Sequence, residues 1–155
     1  MSDPDDTLPG AKPQAISPDG LEFIKQSEGC KLASYQDSVG VWTIAVGHTK
    51  GVRAGMTCTQ EEADQWLQDD LQAVYRDIDA LVDVDLSQGQ FDALCSFVFN
   101  LGAGALRNST LLKLLNAGNY DAAQQQFARW DHAGGQVLAG LTKRRAGEAE
   151  MFSEA

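Results

Sequence analysis

Apolar positions change their period twice along the 155 residues. Between Ile16 and Gly29 they follow helical spacing: Leu21 and Ile24 share a stripe, and Glu28, four residues beyond Ile24, projects from it. Ser17 suits an N-cap and Pro18 the first helical position, where a missing N–H costs nothing. Ile16 and Leu21 stand at the two positions of a hydrophobic staple, and Gly29 is the expected stop. From Leu32 to His48 the pattern becomes extended, with Tyr35, Val39, Val41, Trp42, Thr43, Ile44 and Val46 punctuated by Asp37-Ser38, Gly40 and Gly47. This predicts a small antiparallel ribbon with Trp42, Ile44 and Val46 on one face and Thr43 on the other. After a turn-rich link through Gly51 and Gly55, helical spacing returns. Thr59 with Glu62 and Ser87 with Gln90 form two capping boxes. The first opens a helix carrying Ala63, Trp66, Leu67, Leu71, Val74, Ile78 and Leu81 on one side and Asp64, Asp69, Asp70, Asp77 and Asp79 on the other. The second opens a stretch, Phe91 to Phe99, that is apolar on nearly every side and is expected at the centre of a bundle. Gly102 and Gly104 end it, and shorter helices are expected around Ser109–Asn116, Asn119–Trp130 and Val137–Phe152.

The layout is therefore α+β, a helix and a small sheet followed by a helical lobe. Residues 1–15 lack apolar periodicity and read as a flexible acidic arm. Residues 16–155 read as one domain, divided into an N-terminal lobe over 16–58 and a helical lobe over 59–155. The length fits one domain with its own core. No apolar run approaches the ~20 residues that span a bilayer, and the polar start is unlike a signal peptide; stable membrane insertion is not expected, and a cytoplasmic origin is.

A net charge of −10 makes the chain a poor partner for nucleic acid. The cluster Lys143-Arg144-Arg145 reads as solvated surface. Cys30, Cys58 and Cys95, without CxxC spacing, read as free buried thiols, and with only His48 and His132 beside them no metal or other cofactor is implied.

Glu28 is the informative polar residue. A carboxyl on an apolar stripe must be paired, be hydrogen-bonded or have its pKa raised, and a carboxyl so tuned can act as a general acid. Asp37 follows nine residues later, in a turn where Asp ordinarily bonds its own backbone. Thr43 stands six further on, a hydroxyl on an otherwise apolar strand. Two carboxyls in different environments and a hydroxyl able to hold a water are the apparatus of glycoside hydrolysis.

The run from Ser27-Glu28-Gly29 through Asp37-Ser38-Val39-Gly40-Val41-Trp42-Thr43 to Val46-Gly47-His48-Thr49 resembles the signature of phage-type lysozymes, the endolysins of the T4 lysozyme-like glycoside hydrolase family. Glu28, Asp37 and Thr43 fit its pattern of Glu, eight residues, Asp or Cys, five residues, Thr. The resemblance continues through Phe99-Asn100-Leu101-Gly102, Asn108 to Leu112, Phe127 to Trp130 and Gly140 to Arg145, covering roughly residues 16–152. It implies a lysozyme-like fold with a cleft between the lobes, and cleavage of the β-1,4 bond between N-acetylmuramic acid and N-acetylglucosamine in peptidoglycan with inversion. By the same resemblance Glu28 is the general acid, Asp37 positions or activates a water, and Thr43 holds that water. His48 and Thr49 would line the cleft, with Phe99, Thr110 and Gln126 touching glycan from the helical lobe. A monomer that waits in the host cytoplasm for a holin to open the membrane is the implied setting.

Two departures stand out: Ala45 replaces the usual Gly, adding a methyl where backbone and substrate come close, and the charge is strongly negative. A lytic transglycosylase would cut the same bond with a lone Glu, which leaves Asp37 and Thr43 without a task. A non-catalytic acidic binding protein would use only the charge.

Overall fold

A computed structural model describes residues 11–154, so most of the expected arm lies outside the described residues. The elements are α1 (Pro18–Glu28), β1 (Lys31–Gln36), β2 (Trp42–Ala45), α2 (Gln60–Leu81), α3 (Gln88–Leu101), α4 (Ala103–Arg107), α5 (Thr110–Asn116), α6 (Tyr120–Gln126), a short 3-10 turn (Phe127–Arg129), β3 (His132–Ala133), β4 (Gln136–Val137) and α7 (Ala139–Phe152). The fold is α+β, as the pattern predicts.

Local signals set the helix starts. The Ser17 hydroxyl accepts from the Gly20 N–H, and both capping boxes, Thr59 with Glu62 and Ser87 with Gln90, are formed at α2 and α3. Ser17 is also clasped from afar: its N–H donates to Asp92 at 3.0 Å and its hydroxyl donates to the other oxygen of the same carboxylate. Asp92, on α3 and buried, thereby ties the start of α1 to the centre of the helical lobe. Ile16 and Leu21 pack against the core, as a staple would.

Two apolar cores form. The larger gathers Ile24, Val46, Leu67, Leu71, Phe97, Leu111 and Phe127, among others, around α3, whose residues Phe91 to Val98 are all buried. The smaller holds Ile44, Ala45 and Ala63, with Val52, Met56, Cys58 and Trp66 packed on it. Helix α1 packs on α3 and buries Ile24 in the larger core, so the helix that the sequence groups with the ribbon shares its packing with the helical lobe.

The ribbon differs from its expected form. β1 and β2 pair antiparallel through Tyr35↔Thr43 and Gln36↔Trp42, with an irregularity before Tyr35. However, β2 ends at Ala45, whose φ is +58°, and Ile44 and His48 exchange backbone hydrogen bonds of 2.9 Å around the turn. That turn reverses the chain, so Val46 enters the large core while Ile44 stays in the small one. The shared face expected for Trp42, Ile44 and Val46 is therefore not formed, and Thr43 is buried. A methyl at a left-handed position costs roughly 1 kcal/mol, which the close packing of Ala45 in the small core offsets.

Further differences have physical causes. Residues 11–15, expected within a free arm, run along the helical lobe: the Ala11 N–H donates to Asp85, its carbonyl accepts from Leu86, and Gln88 donates to the Ala15 carbonyl. Gly102 ends α3 at φ +94°, but α4 starts at once behind it. Gly134 and Gly135, both at positive φ, turn the β3–β4 hairpin that the sequence reading passes over. Of the cysteines only Cys95 is buried, and Cys30 is exposed. Among the described residues no helix is long and apolar enough to cross a membrane, and no group of His, Cys, Asp and Glu is placed to hold a metal.

Candidate active site

Glu28 is the last residue of α1. Beyond it Gly29 leaves the helix at φ +73° and releases the chain into β1. The carboxyl is neither free nor surrounded by apolar groups: Arg144 of α7 donates from Nη1 to its Oε2 at 2.6 Å. That guanidinium is itself fixed, with Nε donating to the Ser96 hydroxyl at 3.2 Å and Nη2 to the Ser96 carbonyl at 3.3 Å. Behind it lies Glu148, fully buried, accepting from the Ser96 hydroxyl at 2.5 Å and from Arg145 Nη2 at 2.8 Å. Arg145 Nε faces its second oxygen at 2.6 Å as an ion pair without hydrogen-bond alignment. Burial pushes the Glu148 carboxyl above its usual value, and Arg145, Ser96 and Arg144 pull it back.

Arg144 and Arg145 are thus 7 % and 0 % exposed, which corrects their reading as solvated surface. Partners on α1 and α3 lie far away in sequence, and two acids, Glu28 for Arg144 and the buried Glu148 for Arg145, make the two guanidiniums tolerable inside.

The other oxygen of Glu28 faces the ribbon turn. A Cβ built on Gly47 would lie 2.7 Å from Oε1, and Gly47 sits at φ +63°, so glycine is required there on both counts.

Asp37 occupies the turn after β1. Its Oδ1 accepts from the N–H groups of Val39 at 3.0 Å and Val41 at 2.8 Å, while Oδ2 makes no hydrogen bond among the described residues. Thr43 bonds the same residue through its other backbone group, its hydroxyl donating to the Val41 carbonyl at 3.0 Å. Tyr35 relates the acids: burial raises its phenol above the usual value, and the charges of Glu28 and Asp37 raise it further. Both carboxylates are therefore within electrostatic reach of one hydroxyl.

Two hollows lie in this region, one lined by Glu28 and one by its neighbour Gly47. One, of about 520 Å³, is lined by Glu28, Phe23 and Gln26 of α1, Asn100 of α3, and Leu138, Leu141, Lys143 and Arg144 at the start of α7. The other, of about 200 Å³, is lined by Gly47, Thr49, Lys50, Asp70, Asp77 and Phe99, among others. Glu28 lines the first and abuts Gly47, which lines the second.

Thr49 and Phe99 therefore face the second hollow, as do Asp70 and Asp77, two acids that the sequence places on a solvated face. His48 lines neither. It is buried, its Nδ1 lies 2.7 Å from Asp70 Oδ2, and its ring stacks on Trp66 at 4.9 Å, so it joins the turn to α2. Thr110, exposed at the start of α5, and Gln126, at the end of α6, line neither hollow. Arg144 and Gly47 are site residues that the sequence reading assigns no role. The signal for Gly47 was its place in a tight turn, and Arg144 had none that is local.

Residues 25–148 match the family model described as phage lysozyme. The chain belongs to the phage lysozyme family. Among family relatives, the endolysin of Salmonella phage P22 is 43 % identical over 143 residues, covering 89 % of this chain and 98 % of its own length. The endolysin of Acyrthosiphon pisum secondary endosymbiont phage 1 is 42 % identical over 144 residues, covering 90 % and 99 %. Among solved structures, the muramidase domain of SpmX from Asticaccaulis excentricus superposes with a TM-score of 0.84 at 39 % identity, covering 92 % of this chain and all of that one.

Proposed function

We infer that this phage lysozyme is an endolysin, a muramidase that hydrolyses the β-1,4 bond between N-acetylmuramic acid and N-acetylglucosamine in peptidoglycan. The observation that carries this reading is Glu28, which lines the larger hollow with Oε2 committed to Arg144 and Oε1 without a hydrogen bond among the described residues. Arg144 holds Oε2, so the proton given to the glycosidic oxygen travels on Oε1. On the ribbon, Thr43 spends its proton on Val41, and toward a water it can only accept. Asp37 Oδ2 is the second acceptor. A water donating one proton to each turns its lone pair toward the anomeric carbon, and Asp37 takes the proton as the bond forms. Attack from the face opposite the acid inverts the centre.

The chain acts on periplasmic wall after the inner membrane has been opened by a holin, as a monomer whose partner is the glycan strand. His48 buttresses the turn through Asp70 and Trp66, Thr49 and Phe99 contact sugar in the second hollow, and Thr110 and Gln126 serve a longer strand at its outer reach.

Digestion of purified peptidoglycan in heavy-oxygen water tests the reaction. New ends carry one added water with the heavy isotope on the muramic acid, first in the inverted anomer. Anhydro ends mean a transglycosylase and overturn the hydrolytic reading, and an intact wall after digestion overturns catalysis altogether.

Gly47 supplies a second check. Gly47→Ala is expected to lower wall lysis at least tenfold, because the new methyl displaces Oε1. The left-handed backbone adds a cost of roughly 1 kcal/mol to stability. Rates of turbidity loss on permeabilised Gram-negative cells, read beside a thermal melt, separate the two effects.

A further inference from the structure

We propose that Cys30 and Cys58 close to a disulfide under oxidising conditions and staple the ribbon that carries Asp37 and Thr43. The bond stands independently of the muramidase reading, and only its setting in the periplasm rests on that reading.

The chain returns alongside β1 before α2 begins. The Ser34 N–H donates to the Met56 carbonyl at 2.8 Å and the Cys58 N–H to the Leu32 carbonyl at 2.9 Å, with Ala33 bridged to Thr57 between them. This antiparallel register sets Leu32 opposite Cys58 and places Cys30, two residues earlier, diagonal to Cys58 on the same face. Gln60, two residues beyond Cys58, reaches back with its amide to the Cys30 sulfur at 3.9 Å. The two thiols also sense each other: burial raises the Cys58 thiol above its usual value, and the charges of Glu62 and Cys30 raise it further. Diagonal neighbours have Cα atoms about 7–8 Å apart, roughly 1 Å beyond the span of a disulfide. Cys30 lies between α1 and β1, outside both, directly after Gly29 at φ +73°, and supplies that shift.

Cys30 is exposed and meets an oxidant first, whereas Cys58 is partly covered. The oxidant is itself a disulfide, of glutathione or of an oxidase in the compartment of the wall. The Cys30 thiolate attacks one of its sulfurs, forming a mixed disulfide and releasing one thiol. The Cys58 thiolate then attacks the Cys30 sulfur, closing the bond and releasing the second thiol. Two protons and two electrons leave the pair, and the oxidant is reduced to two thiols. Cys95 stays out of this exchange, because it is buried in the larger core and burial pushes its thiol well up.

The ring so closed, residues 30–58, encloses Asp37, Thr43 and Gly47. It joins the exit of α1, whose Ile24 sits in the larger core, to a residue packed on the smaller one. A chain kept reduced in the cytoplasm thus gains its staple where the wall lies.

In the test, the full reduced chain is equilibrated with glutathione disulfide, its remaining thiols are blocked in denaturant, and its peptides are mapped by mass. A Cys30–Cys58 cross-linked peptide is expected, with Cys95 alone blocked. Tm is expected roughly 5–10 °C above that of the same sample after reduction, the scale for a ring of this length. Cys30→Ser and Cys58→Ser each abolish the difference between oxidised and reduced samples, and Cys95→Ala keeps it. Three free thiols after oxidation, glutathione left on Cys30 without ring closure, a bond to Cys95 or between two copies, or equal Tm values overturn the proposal. None of these readouts uses wall lysis, so a chain inactive on peptidoglycan overturns the muramidase reading and leaves the staple in place.

Discussion

Glu28→Gln is expected to abolish wall lysis to within about one thousandth of the wild-type rate, the scale at which a positioned general acid contributes. The amide keeps an oxygen for Arg144 Nη1, now bonded at 2.6 Å, so the site keeps its shape and loses only its transferable proton. No other acid lines the larger hollow. A thermal melt within a few degrees of wild type, with turbidity of permeabilised cells unchanged over hours, is the expected pair of observations. Retention of more than a tenth of the rate would assign the acid elsewhere. Asp37→Asn is expected to be severe but less complete, since the Val39 and Val41 N–H groups still find an oxygen and a water still finds an acceptor, though a weaker one.

Glu148→Ala is expected to produce the largest loss of stability. The carboxyl is fully buried and meets Arg145, Arg144 and Ser96. Its removal leaves two guanidiniums in the interior with a hydroxyl unmatched, a change worth about 3–5 kcal/mol. Set against a total stability of roughly 5–15 kcal/mol, this lowers Tm by about 10 °C. Denaturant unfolding of the variant measures it directly. Asp64→Ala, on the exposed side of α2, is the comparison and is expected within about 0.5 kcal/mol of wild type. A small cost for Glu148→Ala would mean that water enters and solvates the two arginines.

Glu148 also shows why part of the molecule could be read from sequence and part could not. Ser17, Thr59 and Ser87 cap their helices through partners three residues away, so their function is contained in a short window. The apolar run from Phe91 to Val98 is likewise its own evidence of burial. Glu28, Asp37 and Thr43 stand at fixed spacing along one short stretch from the end of α1 into the ribbon, and that local spacing carries the resemblance. Arg144 and Arg145 were not legible in this way. Their burial depends on Glu28, Ser96 and Asn100, which folding brings up from as far as 116 residues away. Ala45 misled in the opposite sense. Alternation predicted a strand running on to Val46, whereas one residue at positive φ turned the chain and divided Ile44 and Val46 between two cores. The resemblance implies that His48 lines the cleft, whereas Asp70 and Trp66, brought up by α2, hold its ring.

The two separate cores have a mechanical consequence. Glu28 hangs from a helix anchored in the larger one, while Thr43 and the Asp37 turn ride on a ribbon whose Ile44 and Ala45 pack in the smaller. Glu28 and the Asp37–Thr43 pair are therefore carried by different cores, which meet where Gly47 abuts Glu28 and His48 reaches Asp70, and a substitution that loosens the smaller core is expected to displace Thr43 while Glu28 keeps its place on α1.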